Sequence, residues 1–132
     1  MHIDSRLPIY AFASALVAGC SASTSPGIAC TANFVYGITV NVRDSASGAS
    51  LGGAHGAVHD GAYVDSLRPY ASAGYDVSNV SQFSAAGERA GTYTVEVARA
   101  GYRPFSLAGV VVTRDACHVH PQSVTALLAT SG

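Results

Sequence analysis

The stretch TYTVEVAR, residues 92–99, alternates apolar side chains with polar or small ones in a period of two. Tyr93, Val95 and Val97 would lie on one face of a strand, with the polar or small residues on the other. Successive side chains of a β-strand point to opposite sides, so this pattern is typical of a strand with one buried face. We therefore predict a strand here whose apolar face belongs to the core.

The same alternation recurs in YGITVNVRD, residues 36–44. It predicts a second half-buried strand, whose four inward-facing side chains are Tyr36, Ile38, Val40 and Val42. Between the two strands, Asp60-Gly61 is flanked by strand-like residues. This dipeptide predicts a β-hairpin, because a type I′ turn needs positive φ angles.

Three more segments are predicted as strands, at 80–86, 103–113 and 117–128. Residues 66–79 mix Pro, Gly, Ser and two tyrosines, and predict a long loop. No segment shows a sustained helical stripe with caps. About seven short strands in 132 residues predict one all-β domain, an antiparallel β-sandwich of the prealbumin or immunoglobulin-like type.

Charge is sparse in this chain and evenly balanced. Only 11% of the residues are charged, the seven basic residues are all Arg, and the formal net charge is −1. Binding to nucleic acid depends on clustered cations that replace the counterions of the phosphates. The composition therefore predicts no nucleic-acid partner.

The N-terminal residues predict an export signal. Residues 7–19, LPIYAFASALVAG, are mostly apolar, and a segment of this length is short for a membrane span and typical of a signal peptide. The segment VAGC, residues 17–20, resembles the bacterial lipobox, in which small residues precede a cysteine that is lipidated and becomes the new N-terminus. A plain secretory signal and a buried N-terminal helix are the alternatives.

The lipobox resemblance implies a signal peptide at 1–19, a flexible tether at 20–29 and the sandwich domain at 30–132. Ser21, directly after Cys20, resembles the residues that permit transport to an outer membrane. We therefore predict a lipoprotein of the bacterial cell envelope. It would be held in the outer membrane through Cys20 and face the periplasm or the cell surface.

Four motifs follow one another along the predicted domain. They are a first strand that ends in Asp with a Gly turn, an Ala/Val strand, a G-x-Y-x-V-x-V strand and a Gly-Tyr pair after it. They fall on Asp44 and Gly48, Ala57 and Val58, Gly91, Tyr93, Val95 and Val97, Gly101 and Tyr102, with Leu127 or Leu128 at the end of the last strand. This set resembles the carboxypeptidase regulatory-like domain, a transthyretin-type sandwich. The resemblance implies the fold, and an accessory role more than any particular activity.

Two cysteines remain if Cys20 carries lipid. Cys30 lies shortly before the first predicted strand, and Cys117 lies at the start of the last one. An exported protein experiences an oxidising compartment, where an even pair of cysteines forms a disulfide by default. We predict a Cys30–Cys117 disulfide, with two separate buried thiols as the alternative.

His118 and His120 raise the question of a metal site. Two residues apart on a strand, they would share a face at about 6.5–7 Å, a spacing at which both rings can reach one ion. A metal site needs a third ligand. His55 and His59 lie four positions apart, about 13 Å along a strand, so at most one of them could reach an ion held by His118 and His120. Metal binding or metal-dependent catalysis at His118 and His120 is therefore the alternative hypothesis, beside two exposed histidines without a ligand.

Two enzyme families have the same class of sandwich. Intradiol dioxygenases hold ferric iron with two tyrosines and a His-x-His, for which this chain offers Tyr93, Tyr102 and residues 118–120, but their Arg-x-x-His-x-His context is missing. Transthyretin-like hydroxyisourate hydrolases end in Tyr-Arg-Gly-Ser, whereas this sequence ends in ATSG. We therefore predict no enzymatic activity and no cofactor.

The predicted function is a binding or structural accessory module. Tyr70 and Tyr75 lie in the long loop at 66–79, where exposed aromatic rings are candidates for contact with a glycan or a protein. The expected partners are the membrane, through Cys20, and an envelope protein or glycan.

Overall fold

Two four-stranded sheets make up most of residues 27–132, the part of the chain that the computed structural model describes. The eight strands are β1 (Tyr36–Asp44), β2 (His55–Asp60), β3 (Tyr63–Ser66), β4 (Arg68–Pro69), β5 (Gln82–Gly87), β6 (Gly91–Ala98), β7 (Phe105–Val112) and β8 (Gln122–Leu128), with one short 3₁₀ helix at Val77–Asn79. The predicted all-β sandwich is confirmed. The predicted signal peptide, the lipidation site at Cys20 and most of the tether lie outside the described residues.

The strand order is β4-β5-β1-β8 in one sheet and β3-β2-β6-β7 in the other. Neighbouring strands are antiparallel in every pair except β1 and β8, which are parallel. The predicted antiparallel sandwich therefore contains one parallel pair, which the sequence did not indicate. Because parallel neighbours begin at the same end of a sheet, the segments that precede β1 and β8 come together.

The core lies between the sheets and follows the predicted alternation. Three side chains of β1 (Ile38, Val40, Val42) and three of β6 (Tyr93, Val95, Val97) are at most 1% exposed. Burying an apolar side chain of this size contributes roughly 1.5–3 kcal/mol. These two strands therefore form the centre of the sandwich.

Tyr36 is an exception to the predicted pattern. A Cβ atom built on Gly37 would lie 2.9 Å from Cγ1 of Val112 in the opposite sheet, so the position that faces the core is Gly37. Tyr36 is half-buried, packs edge-on against Phe34 with ring centroids 5.1 Å apart, and lines a groove outside the sandwich. The inward placement predicted for Tyr36 is therefore wrong: its ring lies against Phe34 and the groove, outside the core.

The predicted hairpin joins β2 to β3, with Asp60 paired to Tyr63. The two central residues of its turn are Gly61 and Ala62, and only Gly61 has a positive φ, of 58°. Positive φ at the first central residue alone is the pattern of a type II′ turn. The hairpin is confirmed, and the predicted type I′ geometry is wrong.

The last strand begins later than predicted. β8 starts at Gln122, so residues 113–121 form a loop that contains Cys117, His118 and His120. One side-chain oxygen of Asp115 accepts hydrogen bonds from the backbone N–H groups of Cys117 and His118, at 2.7 and 2.9 Å. In a strand, these two N–H groups would bind a neighbouring strand. Because Asp115 accepts them instead, the segment forms a turn.

The segment 66–79 has little regular structure, as predicted, apart from β4 and the 3₁₀ helix. Within residues 27–132, no helix is long and apolar enough to cross a membrane.

Candidate functional site

A groove of about 740 Å³ lies where the loop after β4 passes over the β4-β5-β1 side of the first sheet. Three tyrosine side chains line it, those of Tyr36, Tyr70 and Tyr75. Its polar lining consists of Arg68, Ser72, Asn79, Ser81, Gln82 and Ser84. The groove therefore combines aromatic rings with hydroxyl and amide groups.

Tyr70 is held at the groove by the pairing of β4 with β5. Arg68 and Pro69 pair with Ser84 and Phe83, and the backbone N–H of Tyr70 donates to the carbonyl of Gln82 at 2.8 Å. This bond extends the ladder by one residue beyond β4. The backbone under Tyr70 is therefore part of the sheet, while the ring is 70% exposed.

Tyr75 is positioned by a compact turn that leads into the 3₁₀ helix. Gly74 has a φ of 89°, and the backbone N–H of Tyr75 donates to the carbonyl of Ser72 at 3.1 Å. Asp76 then caps the helix by accepting from the backbone N–H of Ser78 at 2.9 Å. Hydrogen bonds from Ser78 hold the pKa of Asp76 below its ordinary value.

Both predicted aromatic residues are exposed, Tyr70 by 70% and Tyr75 by 73%. The structure brings them to the same concave surface, together with Tyr36. Sequence reasoning missed Tyr36, because its place in an alternating strand made it look like a core residue. The signal that could have revealed it is Gly37, since a glycine beside the first aromatic of a strand can mark a close approach of two sheets.

Arg68 is the charged residue of the groove lining, and Asp65 pairs with it. The two guanidinium nitrogens lie 2.9 and 3.1 Å from the two carboxylate oxygens of Asp65. Asp65 is buried and also accepts from the backbone N–H of Ala86 at 2.9 Å. Its hydrogen bond with Arg68 raises the pKa of that guanidinium. The groove therefore contains a fixed, internally neutralised ion pair.

The predicted disulfide is present between Cys30 and Cys117, whose Cα atoms are 5.2 Å apart. Cys30 precedes β1, and Cys117 lies in the loop that precedes β8. The parallel pairing of β1 with β8 explains this proximity, because both strands start at the same end of the sheet. The bond ties the N-terminal lead-in to the body of the sandwich.

His118 reinforces the same attachment. One ring nitrogen lies 2.9 Å from a carboxylate oxygen of Glu88, and the other lies 2.9 Å from the hydroxyl of Thr31. The same oxygen of Glu88 accepts from the backbone N–H of Val35 at 2.8 Å. The hydrogen bond with His118 is the main cause of the lowered pKa of Glu88.

His120 has other partners. Its ring nitrogens lie 2.9 Å from the hydroxyl of Thr113 and 3.3 Å from a carboxylate oxygen of Asp115. The backbone N–H groups of His118 and Cys117, followed by the ring of His120, lower the pKa of Asp115 to about 2. Since both histidines lie in a loop, the prediction that they share a strand face is wrong.

The described part of the chain holds no group of three or more His, Cys, Asp or Glu side chains that could bind a metal ion. The two tyrosines that an intradiol-type iron site would need, Tyr93 and Tyr102, each form a hydrogen bond with a different protein group. The hydroxyl of Tyr93 donates to the carbonyl of Arg89 at 2.9 Å, and that of Tyr102 donates to Asp44 at 3.1 Å. Asp44 ends β1, roughly 26 Å along the strand from its first residue, so Tyr102 is far from His118.

A second groove, of about 620 Å³, lies on the other sheet. Its lining includes His55, Leu67, Glu96 and Phe105, and it contains none of the tyrosines. The first groove is therefore the better candidate for a binding site.

No protein-family model matches this sequence, and a search of curated proteins gives no match. The resemblance to the carboxypeptidase regulatory-like domain therefore stays a prediction.

Proposed function

We propose that this protein is a non-catalytic binding module of the bacterial cell envelope, anchored by lipid on Cys20. The observation that supports it is the convergence of Tyr36, Tyr70 and Tyr75 on one groove of about 740 Å³. Ligand sites of proteins are concave and of this order of size, about 300–1,000 Å³. The partner would be an envelope glycan or protein.

The exposure of the rings supports a contact role. Most of the surface of Tyr70 and of Tyr75 is exposed to solvent. A ligand that covered these apolar rings would gain free energy of binding. Tyrosine suits recognition, because its ring supplies apolar area and its hydroxyl supplies a hydrogen bond. The backbone N–H groups of both residues are hydrogen-bonded, to the carbonyls of Gln82 and Ser72, so binding has to order the two rings more than the backbone.

The lipid anchor is supported by the lipobox resemblance and by chain length. Cys30 follows Cys20 by ten positions, and an extended chain spans at most about 3.3–3.6 Å per residue. The disulfide would therefore keep this end of the sandwich within roughly 35 Å of the lipid.

The histidines give the metal hypothesis no support. His118 and His120 each use both ring nitrogens in hydrogen bonds with neighbouring side chains. A metal ion would have to displace these partners, and no observation favours that exchange.

Capture from the protein's own envelope tests the binding role. Immobilised full chain is compared with a Tyr70→Ala/Tyr75→Ala variant and with Leu127→Ala, which removes an exposed apolar side chain from β8 at the opposite edge of the same sheet. We expect an envelope glycan or protein to be retained by the wild type and by Leu127→Ala, and not to be retained by the double variant. Identical retention by all three proteins would contradict the proposal.

Labelling with radioactive palmitate tests the anchor separately. We expect the wild type to carry label and Cys20→Ala to carry none. An unlabelled wild type would remove the lipid anchor from the proposal and leave the binding test unaffected.

A further inference from the structure

We infer that the ligand of the groove is an uncharged glycan chain. This inference rests on the proposed function and narrows it to one class of ligand. It follows from three properties of the groove: its charge, its hydrogen-bonding groups and the sheet edge beside it.

The charge of the groove is internally balanced. Arg68 carries the formal charge of the lining at neutral pH, and both oxygens of Asp65 already neutralise it. An anionic ligand could reach the remaining N–H groups of Arg68, but the carboxylate of Asp65 beside them leaves the groove without a net positive charge that would attract it. The lining therefore gives an acidic ligand no electrostatic advantage over a neutral one, and the carboxylate of Asp65 would repel it.

The hydrogen-bonding groups match hydroxyls. Ser72, Ser81 and Gln82 line the groove, and within residues 27–132 their side chains form no hydrogen bond with another protein group. Gln82 and the serines can each donate and accept. A sugar hydroxyl also does both, so such a set pairs with it in either direction.

The rings match the faces of sugars. A sugar ring has apolar faces of C–H groups and a polar edge of hydroxyls. The aromatic rings of Tyr36, Tyr70 and Tyr75 can pack against the C–H faces of a sugar, and the amide and hydroxyl groups of the lining can bind its hydroxyls. An open groove with several rings accommodates a chain of sugar units.

The sheet edge beside the groove is unsuited to a peptide strand. β4 is the edge strand of its sheet and is only two residues long, Arg68 and Pro69. Peptides commonly bind sheet edges by adding a strand through backbone hydrogen bonds. Pro69 has no N–H to offer, so this edge cannot supply a regular ladder.

Affinity electrophoresis tests the inference with the full chain in non-ionic detergent. The gels contain xyloglucan, galactomannan, mixed-linkage glucan or amylopectin as neutral polysaccharides, and alginate or polygalacturonate as acidic ones. We expect retardation by at least one neutral polysaccharide and by neither acidic one. The dissociation constant should change less than about twofold between 50 and 500 mM NaCl, because no unpaired charge contributes and salt screens only such charges.

The Tyr70→Ala/Tyr75→Ala variant should bind about tenfold more weakly or worse, since two stacking contacts are lost. Leu127→Ala should bind as the wild type does, and circular dichroism checks that both variants are folded. Retardation by an acidic polysaccharide that disappears at 500 mM NaCl would overturn the inference, as would the absence of retardation by every neutral one. If groove-dependent capture from the envelope persists in that case, the binding module stands and only the glycan is wrong.

Discussion

Asp65 is the residue that connects the two sheets through a buried carboxylate. It belongs to β3 in one sheet, and it binds Arg68 of β4 and the backbone N–H of Ala86 of β5 in the other. A carboxylate that accepts several hydrogen bonds can lie in a largely buried position without leaving a charge unpaired. The ion pair at the groove is therefore also a structural contact.

We expect Asp65→Ala to lower the free energy of unfolding by about 1–3 kcal/mol, because it leaves the buried N–H of Ala86 without an acceptor. Urea denaturation followed by circular dichroism measures the change. Ser66→Ala, at the exposed neighbouring position, is the control and should stay within about 0.5 kcal/mol of the wild type. A wild-type midpoint for Asp65→Ala would show that the contact contributes little.

Asp115 provides a prediction on pH. Its pKa is about 2 in the folded protein against an ordinary value of 3.8, so the folded state favours the ionised form. A carboxylate with a lowered pKa contributes its stability above the unfolded value and loses it as the pH falls through the folded one. Glu88 shifts in the same direction.

Thermal unfolding from pH 7 to pH 1.5 should therefore show a midpoint that declines below about pH 4. In Asp115→Asn the decline between about pH 4 and pH 2 should be shallower, because the group that titrates there is gone. Ser66→Ala, which removes no carboxylate, is the control and should follow the wild-type curve. Parallel curves for the wild type and Asp115→Asn would rule out the assigned role.

At the scale of the element, β2 shows how a glycine permits close pairing. A Cβ atom built on Gly56 would collide with the carbonyl oxygen of Glu96 on β6, the strand to which β2 is paired. Backbone atoms cannot move aside as a flexible side chain can. Gly56 is therefore required by the packing of its two neighbouring strands.

We expect Gly56→Ala to lower the free energy of unfolding by about 1–3 kcal/mol, the usual range when a well-packed site is overfilled. Gly27→Ala is the matched control, since a Cβ atom there would have no neighbour within 4 Å. The thermal midpoints of the two variants give the comparison. An unchanged midpoint for Gly56→Ala would mean that the two strands can separate locally without loss.

The elements themselves were largely predictable. Alternation identified β1 and β6, and it placed Ile38, Val40 and Val42 in the core, because burial of every second residue is a local property of a strand. It failed at the strand ends. Tyr36 lines the groove, and its neighbour Gly37 takes the crowded position between Ala86 and Val112. The start of β8 is displaced because Asp115 satisfies the backbone of the preceding loop.

At the scale of the whole molecule, the Cys30–Cys117 bond closes a loop with a sequence separation of 87 residues. In the chain-entropy account, a loop of this length restricts the unfolded chain by roughly 4.6 kcal/mol. For a small domain whose net stability is about 5–15 kcal/mol, this is a large share. Hydrogen bonds of His118 to Glu88 and Thr31 support the same attachment.

A Cys30→Ser/Cys117→Ser variant should accordingly lose about 2–5 kcal/mol in urea unfolding. The wild type treated with reductant should approach the same midpoint, whereas reductant should not change the variant. A single Cys20→Ser substitution is the control, since Cys20 takes no part in this bond. A double variant as stable as the oxidised wild type would show that the attachment of the lead-in depends on its other contacts.

The candidate site was predictable only in part. Composition identified the segment at 66–79 and its two tyrosines, because Pro, Gly and Ser favour loops and loops expose their side chains. Other features depend on contacts between segments that are distant in the chain. They include the third ring, that of Tyr36, and the bond of His118 with Glu88. Periodicity carries no information about such contacts.

The class of fold, the central strands and the pairing of Cys30 with Cys117 were predicted from the sequence by itself. The strands follow from local alternation, and the pairing follows from the tendency of an even pair of cysteines to form a disulfide. Only the tertiary structure decided that β1 and β8 run parallel, that Tyr36 turns outward, and that three tyrosines share one groove. The physical reason is that strand direction and surface shape depend on which distant segments pack together, and this is settled by the balance of burial and pairing over the whole chain.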